Sequence, residues 1–136
     1  LKDLSDYIIN RHFPEIEGNK NKYFDLFRCV LRKQAKLISK WMSIGFIHGV
    51  MNTDNCSIIG DTIDYGPCAF MDNYKKDKVF SSIDTFGRYA FKNQPIICQW
   101  NLVQLANCLL PLFPNNKEKN INKAFEKRNR KAKGIR

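Results

Sequence analysis

The sequence predicts a mainly α-helical fold that carries one short β-hairpin. Three observations support this. Apolar residues recur at helical spacing from Tyr23 to Ser43. A second such run begins near Pro95 and is stopped by Pro111 or Pro114. Between them, the short apolar segment Cys56–Ile59 has the length of one hairpin arm and is bounded by Asn, Asp and Gly.

Each element has a local reason. Residues 4–12 suit a short helix, halted before Pro14 because the residue preceding a proline disfavours helical geometry. Glu17-Gly18-Asn19-Lys20-Asn21 is a turn. In the long helix, Phe24, Phe27, Val30, Leu31, Ile38, Trp41 and Met42 share a buried face, and Arg28, Arg32, Lys33, Lys36 and Lys40 take the other. Gly45 ends it. Two short strands follow, near Ser57–Ile59 and Thr62–Ile63, with Asp61 in the turn facing solvent. Residues 67–78 form a loop. Proline is favoured in the first turn of a helix, so Pro95 opens the last one. It carries Ile97, Trp100, Leu102, Leu105, Leu109 and Leu110, and Trp41, Trp100 and the leucines are expected in the core.

Composition limits the function classes. The chain has 136 residues, one domain's worth, and its 43% apolar share is enough for a core. It has no apolar run of about eighteen residues, so no membrane-spanning helix is expected. Leu1-Lys2-Asp3 lacks an initiator Met and a signal sequence, which reads as an internal start. Cys29, Cys56, Cys68, Cys98 and Cys108 form no Cys-x-x-Cys pair and are odd in number. They suit reduced, mostly buried thiols of an intracellular protein. The net charge of +10 is concentrated between Lys117 and Arg136, where nine Lys/Arg meet two Glu. Such a stretch neutralises phosphates in nucleic-acid binders. Here only Phe125 offers a stacking ring, so a solvated, flexible tail over 114–136 is the better expectation and nucleic acid is not an expected partner.

The chemistry lies in Asn52-Thr53-Asp54-Asn55 and Asp64-Tyr65-Gly66-Pro67. Hairpin pairing would bring Asn55 and Asp64 together across nine positions. An amide oxygen and a carboxylate arranged this way suit Mg²⁺, which accepts few protein ligands beside waters and phosphates. The competing reading is that both residues cap turns, their commonest occupation.

The run Gly45-Phe46-Ile47-His48-Gly49-Val50-Met51-Asn52-Thr53-Asp54-Asn55, followed by Thr62-Ile63-Asp64-Tyr65-Gly66-Pro67, resembles the selenoprotein O (YdiU) family. Leu4-Ser5-Asp6-Tyr7-Ile8-Ile9, Arg11-His12-Phe13-Pro14-Glu15, Gly87-Arg88-Tyr89-Ala90-Phe91, Gln94-Pro95, Trp100-Asn101-Leu102 and Leu105-Ala106 agree with it. The resemblance covers roughly residues 1–113. It implies the central part of a protein-kinase-like C-lobe, in which Asn55 matches the catalytic-loop Asn and Asp64 the Asp of Asp-Phe-Gly. It also implies transfer of AMP from ATP to Ser, Thr or Tyr hydroxyls of protein substrates. In that reaction Asn55 and Asp64 would hold Mg²⁺ (or Mn²⁺) and, through it, the ATP phosphates.

An ordinary kinase places its general base five residues before the metal-binding Asn. That position is Val50, which takes no proton. The family uses the Asp immediately before the Asn instead, which here is Asp54. The lobe that clasps the nucleotide, with its Gly-rich loop, Lys and Glu, is not among these 136 residues, and the chain is expected to supply only part of one lobe. The alternative reading is therefore a catalytically inactive fragment or a pseudokinase-type binding module. His48, matching the His of His-Arg-Asp, is expected to be a buried hydrogen-bonding residue. Asp84 and Arg88 are expected to form an ion pair, and Gly49 and Gly66 to serve tight turns. Ser82-Ile83-Asp84 replaces the family's usual His-Ser-Asp, and the family's redox-active C-terminal Sec or Cys motif is not visible. Family members occur in the bacterial cytoplasm and in eukaryotic mitochondria, so the location is cytoplasmic if bacterial and mitochondrial if eukaryotic.

Overall fold

The computed structural model describes residues 1–114, and the basic stretch beyond them, expected to be a flexible tail, lies outside the described residues. Helix α1 spans Lys2–His12, with Asp3 in its first turn and Arg11 and His12 in its last, signs that suit the helix dipole. It ends at Phe13, before a 3-10 turn over Pro14–Ile16. Ile9, Phe13 and Ile16 are buried and pin α1 to the core.

Helix α2 spans Lys22–Ser43 and buries Leu26, Phe27, Val30, Gln34, Ile38 and Trp41. These positions lie within a turn's reach of one another on one stripe, as the periodicity predicted. Gln34 is the polar exception. Helix α3 spans Gln94–Leu109 and buries Ile97, Cys98, Asn101, Leu102, Ala106 and Leu109 against α2. Pro95 sits in its first turn. A 3-10 turn over Leu110–Leu112 follows, and Phe113 then packs edge-on to Phe24, with ring centroids 5.4 Å apart. Each fully buried ring such as Phe27 contributes roughly 1.5–3 kcal/mol by leaving water. No helix among the described residues is long and apolar enough to cross a membrane.

The mainly α architecture with one short antiparallel pair matches the expectation, but the pair is made elsewhere. Strand β1, Phe46–Ile47, pairs with β2, Ala69–Phe70, in the register Phe46↔Phe70 and Ile47↔Ala69. Strand β2 thus interrupts the loop expected over 67–78. The segments 57–59 and 62–63 form no strands; only Cys56 and Thr62 make an isolated bridge. The cause is competition for backbone groups. The Gln34 side chain from α2 donates to the Ser57 carbonyl, which also closes a turn with Gly60 N at 3.1 Å. A carbonyl used twice in this way is not offered to a ladder.

Trp100 departs from the expected core: it is 47% exposed, and the Arg88 guanidinium lies 5.2 Å from its ring. Arg88 does not pair with Asp84. The Asp84 carboxylate instead accepts the Arg88 and Tyr89 backbone N–H groups, both at 2.8 Å.

Gly49 is required twice over. Its φ is +88°, and a Cβ there would stand 2.8 Å from the Pro67 carbonyl oxygen. Gly49→Ala is expected to cost about 2–4 kcal/mol, combining left-handed strain with displacement of Pro67. Thermal melting against Gly18→Ala checks this, since a Cβ at Gly18 meets nothing within 4 Å. Equal melting temperatures for the two variants would contradict it.

Candidate active site

The site is built on a 3-10 turn, Thr53–Asn55, that follows β1 through Gly49 and Val50. Asn55 N–H donates to Asn52 O at 3.0 Å, and Cys56 N–H to Thr53 O at 3.4 Å. Asn55 Nδ2 donates to Val50 O at 3.1 Å. A carbonyl can only accept, so this contact fixes which way the amide faces and leaves Asn55 Oδ1 as the atom offered to a cation. Asp54 is exposed. Neither Asp54 nor Asp64 makes an ion pair among the described residues.

His48 ties this turn to Asp64. It is fully buried and stacks on Trp41, with ring centroids 5.4 Å apart and 20° between planes. Val50 N–H donates to its Nδ1 at 3.3 Å, which makes Nδ1 the acceptor and Nε2 the protonated nitrogen. Nε2 in turn donates to Ile63 O at 2.6 Å. Both ring nitrogens are therefore occupied by backbone, and His48 is a structural residue, as expected. Trp41 Nε1 adds a bond to Thr62 Oγ1 at 2.9 Å. Asn55, Val50, His48 and Ile63 thus form one hydrogen-bonded chain, and Ile63 directly precedes Asp64.

Asp64 itself is held in the left-handed region, at φ +57°, alone among the described non-glycine residues. Asp tolerates this better than most side chains, yet the conformation costs about 1 kcal/mol or more. Gly66 N–H donates to Asp64 O at 2.8 Å and closes the bend, the turn role expected of Gly66. The Asp64 carboxylate is exposed, as is Asp61.

Two residues of α3 support the site in ways that composition and spacing did not reveal. Gln94 is fully buried; its Oε1 accepts His48 N–H at 3.0 Å, and its Nε2 donates to Phe46 O at 2.9 Å. It pairs with the end of β1 as a neighbouring strand would. Asn101 Nδ2 donates to Met51 O and to Cys56 Sγ, each at 3.0 Å, and so clamps both flanks of the 52–55 turn. Its Oδ1 is buried and accepts no hydrogen bond among the described residues. Burial pushes the Cys56 thiol up, opposed in part by the Asn101 hydrogen bond, so Cys56 stays neutral near pH 7 and is no nucleophile. Thr53, Cys56 and Asn101 also border a cavity of about 260 Å³. The signal that would have found Gln94 and Asn101 is a polar residue on the apolar face of a helix, where burial without a partner is costly.

Among the described residues, no group of three or more His, Cys, Asp and Glu side chains is placed to hold a metal ion. What the site offers is oxygen donors on one exposed, hydrogen-bonded loop system held by residues of α2 and α3. The family described as "Protein adenylyltransferase SelO" matches residues 1–132, and the chain belongs to that family. The match runs well past residue 113 and takes in most of the basic stretch. The chain is similar to the "Protein nucleotidyltransferase YdiU" of Bradyrhizobium sp. (strain ORS 278), with 57% identity over 124 residues, 91% of this chain and 25% of the relative. It is also similar to the protein of that name from Bacillus cereus (strain G9842), with 58% identity over 118 residues, 87% of this chain and 24% of the relative. The chain thus spans about a quarter of the length of these relatives.

Proposed function

We propose that this chain is the catalytic-loop portion of a Mg²⁺-dependent protein adenylyltransferase and forms the centre of a kinase-like C-lobe. The observation that carries the proposal is the hydrogen-bonded chain from Asn55 through His48 to Ile63, which places a strained, exposed Asp64 at the far end of the same network. The donors fit Mg²⁺ chemically: one amide oxygen whose nitrogen is already committed, and one unpaired carboxylate, the rest of the shell being left to water and phosphate. Asn55 and Asp64 would hold Mg²⁺ (or Mn²⁺), which neutralises ATP phosphate charge when bound.

Asp54, exposed and without an ion pair among the described residues, accepts the proton of a Ser, Thr or Tyr hydroxyl on the protein substrate. The hydroxyl oxygen bonds to the α-phosphorus, the bond to the bridging oxygen breaks, and pyrophosphate leaves. Val50 keeps the conventional base position inert, and its carbonyl serves Asn55 instead. The bacterial relatives favour the cytoplasm over the mitochondrion as its location. We also place the division between the partial lobe and the basic segment after Phe113, the last buried residue described.

The test joins the chain to an intact N-lobe and supplies ATP labelled on either the α- or the γ-phosphate. The expected result is α-label in protein and none from the γ-position. Incorporation of γ-label would return this lobe to kinase chemistry. No incorporation of either would favour the second reading, an inactive binding module, for which the valine at position 50 is the supporting observation.

A further inference from the structure

Asn52 stands at the N-cap of the Thr53–Asn55 turn with extended backbone, φ −62° and ψ 160°. An Asn at such a position ordinarily turns its side-chain oxygen back onto the N–H groups of its own turn. Here no side-chain cap bond forms. Asn52 Oδ1 instead accepts the hydroxyl of Tyr89, thirty-seven residues further along the chain.

Tyr89 is held from several sides. Asp84 Oδ2 takes its backbone N–H, while Asp84 Oδ1 takes that of Arg88. Asn93 Nδ2 donates to Gly87 O at 2.9 Å, which anchors the same bend next to α3. The Arg88 guanidinium lies over both the Tyr89 and the Trp100 rings, at 5.7 and 5.2 Å. The tyrosine is thus mounted on a braced bend, and its hydroxyl is spent on the residue from which the Asp54 turn starts.

We propose that Tyr89 is a positioning residue for the catalytic turn: its hydroxyl draws the Asn52 side chain away from capping and so fixes the direction in which Asp54 points. The inference rests on the proposed role of Asp54. A hydrogen bond of this kind and the cap it displaces are of similar strength. The clasped and self-capped arrangements are therefore close in energy, and the Tyr89 bond selects between them. Asp84 acts one step further out, by holding the Tyr89 backbone.

The test uses the chain joined to an intact N-lobe, with Tyr89→Phe, Asn52→Ala and the double variant. Phenylalanine keeps the ring beneath Arg88 and removes only the hydroxyl. Each single variant is expected to lower kcat for AMP transfer about tenfold, with KM for ATP within about twofold and little change in melting temperature. The double variant should be no worse than either single one, because both remove the same bond. A structural role alone would lower the melting temperature and leave kcat intact. Amide hydrogen exchange at Asp54 gives a readout independent of activity: Tyr89→Phe releases Asn52 to cap its own turn and should slow exchange there about tenfold, whereas Asn52→Ala, which leaves no cap, should not. Unchanged exchange in Tyr89→Phe, or effects that multiply in the double variant, would overturn the proposal. If the unmodified protein transfers no AMP, the proposed function fails, while exchange still decides whether Tyr89 holds the turn.

Discussion

Replacing Asp64 by Ala in the chain joined to an intact N-lobe is expected to reduce AMP transfer by at least about a thousandfold. The Asp64 carboxylate is exposed and makes no ion pair among the described residues. It is therefore not consumed by structure. Asp61 is exposed on the far side of the Cys56–Thr62 bridge, and no metal-binding group of three acidic, His or Cys residues exists among the described residues. In the proposed role, Asp64 would hold the cation that neutralises the phosphates, and its loss would remove electrostatic stabilisation worth several kcal/mol in the transition state.

A second variant separates function from folding. Asp64→Gly relieves the φ of +57° and should melt at the parental temperature or above it while remaining as inactive as Asp64→Ala. Appreciable transfer by either variant would remove Asp64 from the metal role. A marked loss of stability in Asp64→Gly would mean that the carboxylate serves the fold.

Asp54→Ala is expected to lower transfer about a hundredfold to ten-thousandfold, the range of a general base, with Mg-ATP binding nearly unchanged. The distinction from Asn55 is geometric. Asp54 lies in the middle of the 3-10 turn, whereas Asn55 next to it is tied back to Val50. The incoming hydroxyl, and not the ground-state nucleotide, would feel its loss. Single-turnover rates with α-labelled ATP, set beside a direct measurement of nucleotide affinity, check this. A variant that lost affinity and rate in equal proportion would show that Asp54 belongs to the nucleotide site.

The helices were legible because their cause is local. Apolar spacing from Tyr23 to Ser43, the stop before Pro14 and the start at Pro95 each act over a few residues, and α1, α2 and α3 lie within a residue or two of where these signals placed them. The strands were not legible. The pairing of Phe46–Ile47 with Ala69–Phe70 spans more than twenty residues, and the nearer candidate at 57–63 lost its carbonyl to Gln34. Trp100 was misplaced for a similar reason: a helix whose polar face is sparse gives little sign of which side is covered, and Arg88 shields the ring from outside. The expected Asp84–Arg88 pair failed because backbone N–H groups four and five residues away compete for the carboxylate more closely than the long Arg side chain does.

By itself the sequence determined the mainly α class, the bounds of the three helices, the family, and Asp54, Asn55 and Asp64 as the residues to examine. Those follow from short-range spacing and from an ordered set of motifs. Only the tertiary structure decided how the site is held. Gln94 and Asn101 on α3, Gln34 and Trp41 on α2 and the His48 tautomer are assigned through partners between 15 and 50 residues away. A buried amide or imidazole takes whichever backbone group packing brings to it, because leaving it unpaired costs more than any local preference returns.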